Sequence, residues 1–401
     1  QEALKKAHDQ LEEKVAERTM ELARAKEEAE SAARVKGDFM ARMSHEIRTP
    51  MNAIIGLTAL VLKTNLSETQ SDYIEKVNDS SVHLLNLVND ILDFSKLESG
   101  KMTLEMKKFM LHHIITRVAN MFRVKAAEKS VELFYIIEKD VPLALKGDPF
   151  RIGQVLINLV GNAVKFTSRG EVVVTVKLDD NYSPPDENKV GLLFSVKDTG
   201  IGIARDKMKL LFQPFTQTDG FVTRKYGGTG LGLSISHHLV TSMGGKIWVK
   251  SKLHKGSVFY FTLAFEENQE ENIRHMYPPA DIRGLKALVV DDNQTACLII
   301  ERMLKSFEFR VVTADSPTKG HEVLRAAVEE DPFDFMVLDW KMPEMDGYET
   351  TRRMRASGIT QPVLALTASA MAADRDRCLE AGCNAHVSKP IDSVQFVRTI
   401  A

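Results

Sequence analysis

The sequence has little cysteine, little net charge and no long apolar run. Its three cysteines, Cys297, Cys378 and Cys383, lack a C-x-x-C spacing, which argues against a disulfide framework and fits a reducing compartment. The 53 Lys and Arg residues nearly balance the 55 Asp and Glu residues, which argues against nucleic acid as the main partner. The longest apolar stretch, residues 51 to 62, is far shorter than the roughly 20 residues that cross a bilayer. We therefore expect a cytoplasmic fragment without a membrane segment, and leave open whether a longer protein is anchored at the inner membrane.

The length and the composition are those of a chain with several packed domains. Hydrophobic residues make up 44% of the chain and charged residues 27%, close to the averages for globular proteins. At roughly 150 residues per domain, 401 residues predict two to three domains. The sequence pattern changes several times, and it predicts segments at residues 1–36, 37–107, 108–266 and 284–401, with a charged, Pro-containing linker at 267–283.

Residues 1 to 36 contain no Gly or Pro and are rich in Glu, Lys, Arg and Ala, a composition that favours helix throughout. Apolar residues follow a spacing of 3.5 residues that continues into the next segment, at Leu11, Val15, Leu22, Ala25, Ala29, Ala32, Phe39 and Met43. This spacing favours a two-stranded parallel coiled coil. A monomeric charged helix is the alternative.

Residues 37 to 107 predict two long helices joined at residues 64–66. The second helix is expected to begin after Ser67 as N-cap and to end near Gly100. A single hairpin cannot bury the apolar stripes of both helices, so we expect two copies to form a four-helix bundle dimer.

The remaining pattern predicts an α+β domain and then an α/β domain. Strands of the α+β domain are predicted at 131–138, 171–178, 190–198, 246–251 and 257–265, with a polar hairpin loop at 181–189. From residue 285, short apolar runs alternate with helical stretches, the pattern of a parallel doubly wound sheet.

The first candidate for chemistry is His45 in SHEIRTPMN. A free imidazole has a pKa near 6.5, so its nitrogen lone pair is available at pH 7. Glu46 can take the ring proton during phosphoryl transfer, and Thr49, one turn later, can hold a water against a phosphorylated ring. Pro50 predicts a kink just beyond. Taken alone, an exposed helical histidine is usually a plain surface residue.

A second set of candidates follows in the α+β domain. Asn158, Asn162 and Lys165 share one face of a predicted helix, where amide oxygens can ligate Mg²⁺ and the lysine can meet phosphate. A solvated polar face explains the same pattern. Asp198 opens DTGIGI, and its carboxylate can accept a hydrogen bond from an exocyclic amine such as that of adenine.

Glycines cluster at two places that suit a nucleotide. Gly200 and Gly202 let the backbone approach a ligand closely, and GGTGLGL precedes an apolar helix, a natural phosphate cradle. The spacing of this second cluster differs from that of dinucleotide-binding folds. Residues 209 to 228 between the clusters are interpreted as a lid, with an ordinary loop as the alternative.

The α/β domain carries its own polar cluster. Asp291, Asp292, Asp339, Thr367 and Lys389 all fall at or just after the ends of predicted parallel strands, so they converge at one edge of the sheet. Three clustered carboxylates repel one another unless a cation lies among them, which predicts Mg²⁺ and leaves one Asp as an acyl-phosphate nucleophile.

The segments SHEIRTP, NLVGNAVKFT, DTGIGI, FQPF and GGTGLGL, in this order, resemble the H, N, G1, F and G2 boxes of sensor histidine kinases. The resemblance covers about residues 37 to 266. It implies a dimerisation and histidine phosphotransfer domain followed by an ATP-binding domain of the Bergerat type. It also implies that His45 is the phosphoacceptor, Glu46 the base and Thr49 a phosphatase residue.

The same resemblance implies roles in nucleotide binding. Asn158 is expected to ligate Mg²⁺, Asn162 and Lys165 to contact phosphate, and Asp198 to recognise adenine. Phe212 and Phe215 match the F box and are expected to anchor the lid. The other residues assigned to ATP are Gly200, Gly202, Gly228, Thr229, Gly230, Leu231 and Gly232.

The last segment, with LDWKMPEMDGYE, ALTA and SKP, resembles a response-regulator receiver domain, which has a flavodoxin-like fold. The resemblance implies that Asp339 is phosphorylated, that the backbone carbonyl of Lys341 completes the metal site and that Thr367 senses the phosphoryl group. His386 stands where the family often has Tyr or Phe, which departs from the usual aromatic switch.

Together these resemblances imply a homodimeric hybrid histidine kinase that uses ATP and Mg²⁺, with phosphatase activity and a downstream histidine phosphotransfer protein or response regulator as partner. The coiled coil is expected to transmit a signal by shifting the bundle helices. Two alternatives remain: a scaffold that binds ATP without kinase activity, and an ATPase of the gyrase or heat-shock chaperone kind. Steady ATP hydrolysis without protein-bound phosphate would favour the ATPase.

Overall fold

The protein is described here by a computed structural model. It describes residues 2–98, 102–181, 189–216, 230–268, 282–327, 331–342, 345–367, 372–389, 391 and 393–400. Within its helices, the side chains at 2–13, 22, 25, 28–42, 45, 98, 372–374 and 393–395 lie outside the described part. The chain divides into two compact units, residues 1–104 with 210–239 and residues 105–209 with 240–401.

The helices are α1 (Glu2–Val61), α2 (Glu68–Glu98), α3 (Leu111–Glu128), α4 (Pro149–Phe166), α5 (Gly232–Ser242), α6 (Gln294–Ser306), α7 (Pro317–Ala326), α8 (Gly347–Ala356), α9 (Ala372–Glu380) and α10 (Ser393–Ile400). The strands of the first sheet are β1 (Lys107–Met110), β2 (Val131–Ile137), β3 (Ala144–Gly147), β4 (Gly170–Leu178), β5 (Lys189–Asp198), β6 (Lys246–Lys252) and β7 (Gly256–Glu267). Those of the second sheet are β8 (Lys286–Val290), β9 (Arg310–Ala314), β10 (Phe335–Asp339), β11 (Val363–Thr367) and β12 (Ala385–Ser388).

In the first unit, α1 and α2 pack together as a helical hairpin. The Thr58 hydroxyl donates to Asn78 Oδ1 at 3.0 Å, and Arg48 donates to Asn89 Oδ1 at 3.1 Å, so polar pairs tie the two helices together. Ser67 and Gln70 exchange hydrogen bonds between side chain and backbone, a capping box that starts α2. The predicted start of this helix is therefore confirmed.

The first sheet of the second unit is mixed, in the order β1-β3-β7-β5-β4-β2, with β6 paired to β7. Of the strand pairs that the structure describes in this sheet, β2–β4 is parallel and the others are antiparallel. Buried faces of α3 and α4 form a helical layer against the sheet. Phe194 and Phe261 stack at 4.5 Å between ring centroids in the core.

The second sheet is parallel, in the order β12-β11-β10-β8-β9. Its alternate residues build two apolar clusters: Val289, Val337 and Leu366 belong to one, and Leu288, Met336 and Ala365 to the other. This is the flavodoxin-like doubly wound topology, which brings the carboxyl ends of the strands to one edge.

The predicted α+β and α/β fold classes are confirmed, and the five predicted strands of the α+β domain are present with small differences at their ends. The short strands β1 and β3 were missed because four-residue segments show no clear alternation. The insert at 182–188 and linker residues 269–281 lie outside the described residues. Most side chains of the coiled-coil seam, including Leu11 and Leu22, also lie outside the described part. The proposed domain boundaries stay predictions. Among the described helices, none has the length and apolar content that a membrane-crossing segment requires.

Candidate functional site

The segment of His45 lies inside α1, which continues through Pro50 to Val61. The His45 side chain is outside the described part. Glu46 and Thr49 are both exposed. The backbone therefore presents these residues on one continuous helix, with Thr49 one turn after His45 as expected.

Helix α4 carries the three polar candidates of the second group. Its N-terminus is held by Asp148, whose Oδ1 accepts the Arg151 backbone N–H at 3.1 Å and whose Oδ2 accepts that of Glu105 at 3.1 Å. Pro149 fits the first helical position because its missing N–H is not needed there. The apolar face of α4 is fully buried, which fixes the rotation of the helix.

This rotation leaves Asn158, Asn162 and Lys165 half-buried on the other side. Asn162 Nδ2 lies 3.4 Å from Asn158 Oδ1, so the two amides are neighbours. Burial lowers the pKa of Lys165, and the charges of Lys125 and Lys129 lower it further. Such clustered cations favour an anion, so the helix face fits the phosphates of a nucleotide.

Asp198 lies at the end of β5 and is buried. Burial raises the pKa of its carboxyl group, while hydrogen bonds from the backbone N–H groups of Gly200 at 2.9 Å and Ser257 at 3.3 Å oppose that rise. Both backbone bonds reach Oδ1, and the Ser257 side chain also hydrogen-bonds the carboxylate. A carboxylate offers about four acceptor positions, so Asp198 can still accept a hydrogen bond from a ligand amine.

The glycines after Asp198 have a packing reason that the sequence did not reveal. A Cβ at Gly200 would collide with the Phe166 carbonyl oxygen, and a Cβ at Gly202, where φ is +67°, would collide with that of Lys252. These glycines therefore allow strands and helix to approach closely, in addition to any contact with a nucleotide.

In the other unit, the glycine-rich segment is described from Gly230 onward, so Gly228 and Thr229 lie outside the described residues. Gly230 has φ +70° and lies against the backbone of Phe215, while the Leu231 side chain is 1% exposed. Leu231 can therefore meet a ligand only through its backbone. Gly232 begins α5.

The two F-box residues have different surroundings. The Phe212 ring lies 5.6 Å from that of His237 on α5, and the Phe215 ring lies 6.2 Å from that of Phe94 on α2. Phe215 therefore packs against the helical hairpin, a contact that the sequence did not predict. Lid residues 217–228 lie outside the described part.

The acidic cluster forms as predicted at the edge of the parallel sheet. One ligand oxygen from each of Asp291, Asp292 and Asp339 lies within 4.8 Å of the others. Lys389 Nζ lies 2.9 Å from both Asp291 Oδ2 and Asp339 Oδ1. The Lys389 backbone N–H donates to the Thr367 carbonyl at 2.6 Å, which joins the ends of β11 and β12.

The electrostatics of this cluster call for a further cation. Burial and the charges of Asp291 and Glu132 raise the pKa of Asp339 to about 7, although Lys389 opposes the rise. Burial by itself would lower the pKa of Lys389, but the negative charges of Asp291 and Asp339 have the larger effect and raise it. Three carboxylates with one lysine leave an excess of negative charge, and oxygen ligands are those that Mg²⁺ prefers. The residues therefore fit Mg²⁺.

Two residues of the receiver resemblance lie near this cluster in sequence. Lys341 follows β10 by two positions and its side chain is exposed, so a metal would meet only its backbone carbonyl. His386 is half-buried in β12.

Sequence reasoning missed Glu132 of β2, whose Oε2 accepts a hydrogen bond from Asn293 Nδ2 at 3.1 Å beside this cluster. Since 161 positions separate the two residues, no local pattern could have revealed the contact.

Comparison with known families identifies three successive domain types in the chain. The family models described as "His Kinase A (phospho-acceptor) domain", "Histidine kinase-, DNA gyrase B-, and HSP90-like ATPase" and "Response regulator receiver domain" match residues 35–100, 147–267 and 287–401. The three matches follow one another in the order predicted from the motifs.

Curated relatives cover nearly the whole chain. The "Autoinducer 2 sensor kinase/phosphatase LuxQ" of Vibrio vulnificus is 37% identical over 92% of this chain and 43% of its own length. The "Sensory/regulatory protein RpfC" of Xanthomonas campestris pv. campestris is 34% identical over 95% and 56%. The "Sensor protein GacS" of Pseudomonas syringae pv. syringae is 29% identical over 95% and 57%. The chain thus spans about half the length of the curated relatives that it matches.

Proposed function

We propose that this chain, which belongs to the hybrid sensor histidine kinases, transfers the γ-phosphoryl group of ATP first to His45 and then to Asp339. The observation that carries the proposal is the cluster at the edge of the parallel sheet. There Lys389 bridges Asp291 and Asp339 while a third carboxylate, Asp292, lies within 4.8 Å. A structural ion pair needs one carboxylate per lysine, whereas a phosphoryl acceptor with a metal site needs this excess of oxygen ligands.

In the first step the chain holds ATP on the α4 face. Asp198 accepts a hydrogen bond from the adenine amine, and Asn162 and Lys165 contact phosphate oxygens. Gly228, Thr229, Gly230, the Leu231 backbone and Gly232 are expected to contact the phosphates as well. Support comes from the neighbouring cations: burial lowers the pKa of Lys165, and the charges of Lys125 and Lys129 lower it further.

Transfer to His45 then needs little covalent chemistry from the protein. An imidazole nitrogen attacks the γ-phosphorus, the bond to the β-phosphate oxygen breaks, ADP leaves, and Glu46 takes the ring proton. Positioning supplies most of the rate, since well-oriented reactants are worth roughly 7 to 11 kcal/mol. For the phosphatase activity, Thr49 holds a water against the phosphorylated imidazole ring.

The second step moves the phosphoryl group from His45 to an Asp339 oxygen, forming an acyl phosphate and breaking the P–N bond. Lys389 meets the phosphoryl oxygens, and Thr367, the last residue of β11, senses them. Mg²⁺, when bound, offsets charge on the transferring group. In the receiver, Asp291, Asp292, Asp339 and the Lys341 carbonyl would hold it. In the ATP-binding domain, Asn158 would do so.

The active form is a homodimer. Apolar residues of the helical hairpin remain exposed in the single chain, including Ile54, Leu57, Leu60 and Val77. A second hairpin would cover them in a four-helix bundle. The phosphoryl group on Asp339 then passes to a separate histidine phosphotransfer protein.

The test is incubation with γ-labelled ATP and Mg²⁺, followed by acid and alkali treatment of the labelled protein. His45→Ala should abolish labelling, whereas the control His83→Ala, at another bundle histidine, should not. Asp339→Asn should trap acid-labile, alkali-stable label on His45. Nucleotide binding without label on any variant would refute the kinase and favour a scaffold.

A further inference from the structure

The outer face of the first sheet is apolar where β2 and β4 pair. Side chains alternate along a strand, and the fully buried Val172 and Val174 of β4 face the helical layer. Phe134 and Val173, which are register partners, therefore lie on the opposite face, and both are less than 10% exposed. A solvated face would carry polar residues at these positions.

The receiver helix α6 covers this face. Ala296 and Ile299 of α6 form one buried apolar cluster with Phe134 and Val173, and Ile136 packs against it. This cluster is separate from both receiver core clusters, so it holds the receiver against the ATP-binding sheet. We call it the docking cluster.

Glu132 lies on the same outer face, two residues before Phe134. Its Oε2 accepts from Asn293 Nδ2 at 3.1 Å, and the Asn293 backbone N–H donates to Asp291 Oδ1 at 2.9 Å. One residue therefore separates the Glu132 carboxylate from the acidic cluster.

We propose that Glu132 couples docking of the receiver to its phosphorylation: the docked contact disfavours phosphorylated Asp339, and phosphorylation of Asp339 loosens the contact. The inference rests on the proposed role of Asp339 as acceptor. It adds a residue of the ATP-binding domain to the control of the receiver.

The charges explain the direction. Docking brings a fourth carboxylate to Asp291, Asp292 and Asp339, against the single charge of Lys389. An acyl phosphate at Asp339 carries about one more negative charge than the carboxylate that it replaces. Repulsion therefore grows on phosphorylation, and by linkage the docked state must lower the affinity of the receiver for the phosphoryl group by the same factor.

The experiment uses the His45→Ala protein, so that kinase activity plays no part, and BeF₃⁻ with Mg²⁺ as the phosphoryl mimic. Titration is followed by the fluorescence of Trp340, next to Asp339, with Trp248 replaced by Phe. Glu132→Gln keeps an oxygen for Asn293 but removes the charge. It should tighten BeF₃⁻ binding by about threefold to tenfold, the range expected for one charge across a partly screened contact.

Glu171→Gln is the matched control, because Glu171 is the register partner of Glu132 on β4 but pairs with Lys197. It should leave BeF₃⁻ binding unchanged. Phe134→Ala, which weakens the docking cluster without changing the receiver, should tighten binding as Glu132→Gln does. BeF₃⁻ should also speed hydrogen exchange in β2 and α6 of the parent protein.

The coupling would be overturned if Glu132→Gln and Glu171→Gln had equal effects on BeF₃⁻ binding. It would also be overturned if BeF₃⁻ binding were unchanged or weaker in Glu132→Gln and Phe134→Ala. Unchanged exchange in β2 and α6 on BeF₃⁻ binding would overturn it as well. No BeF₃⁻ binding even in the parent would instead refute Asp339 as acceptor, and the coupling with it.

Discussion

Replacement of Lys389 by methionine is expected to lower the free energy of unfolding of the receiver by about 3 to 5 kcal/mol at pH 8 without Mg²⁺. Lys389 Nζ lies 2.9 Å from Asp291 and from Asp339, and its side chain is 15% exposed. Removing one partner of a buried ion pair leaves an uncompensated charge, which is the source of a loss of this size. Methionine keeps most of the apolar stem, so the change is mainly electrostatic.

The loss should depend on pH in a definite direction. The pKa of Asp339 is raised from 3.8 to about 7 in the folded protein, so its contribution to stability declines as the pH rises through that interval. The raised pKa of Lys389 keeps the lysine charged throughout. At pH 5.5 most Asp339 is protonated with or without the lysine. The loss should then shrink by about 1 kcal/mol, because a difference of one proton over the single pH unit from 7 to 8 is worth about 1.4 kcal/mol.

The assay is urea unfolding of the full chain followed by Trp340 fluorescence in a Trp248→Phe background, at pH 5.5 and pH 8. Lys286→Met is the matched control, because Lys286 is also partly buried and lies 2.6 Å from Asp331. Hydrogen bonds from Lys286 and Arg310 lower the pKa of Asp331, which stays ionised over this range. The Lys286→Met control should therefore lose less free energy of unfolding than Lys389→Met does at pH 8, and its loss should be the same at both pH values. An equal loss at both pH values for Lys389→Met would refute the reasoning.

Three further predictions follow from the sites. Asp198→Asn should raise the melting temperature at pH 8, because the buried carboxyl has a raised pKa, yet weaken binding of an ATP analogue about tenfold in calorimetric titration. Asp148→Ala should destabilise the ATP-binding domain by about 2 kcal/mol in thermal unfolding, and Asp148→Asn by less, since both carboxylate oxygens accept backbone N–H groups. Mg²⁺ affinity, measured by Trp340 fluorescence, should rise as the pH rises from 5.5 to 7 and level off above, because a proton on Asp339 competes with the metal.

The motifs could be read from the sequence because each depends on a local pattern. The alternation in β4 and β5 and the buried face of α4 needed only residue spacing, and the acidic cluster followed from the rule that parallel strands end at one edge. Four-residue strands such as β1 and β3 could not be predicted, since they form only where β7 and β3 offer a partner.

The sequence by itself therefore determined the three domain types and their order, and it predicted the residues that carry the chemistry, because periodicity and motif spacing are local properties. Only the tertiary structure decided that Gly200 serves a close backbone approach to Phe166, that Phe215 packs on Phe94, and that Glu132 reaches Asn293. These contacts join residues that are far apart in the chain or depend on backbone geometry. They arise from the packing of whole elements, which no local pattern encodes.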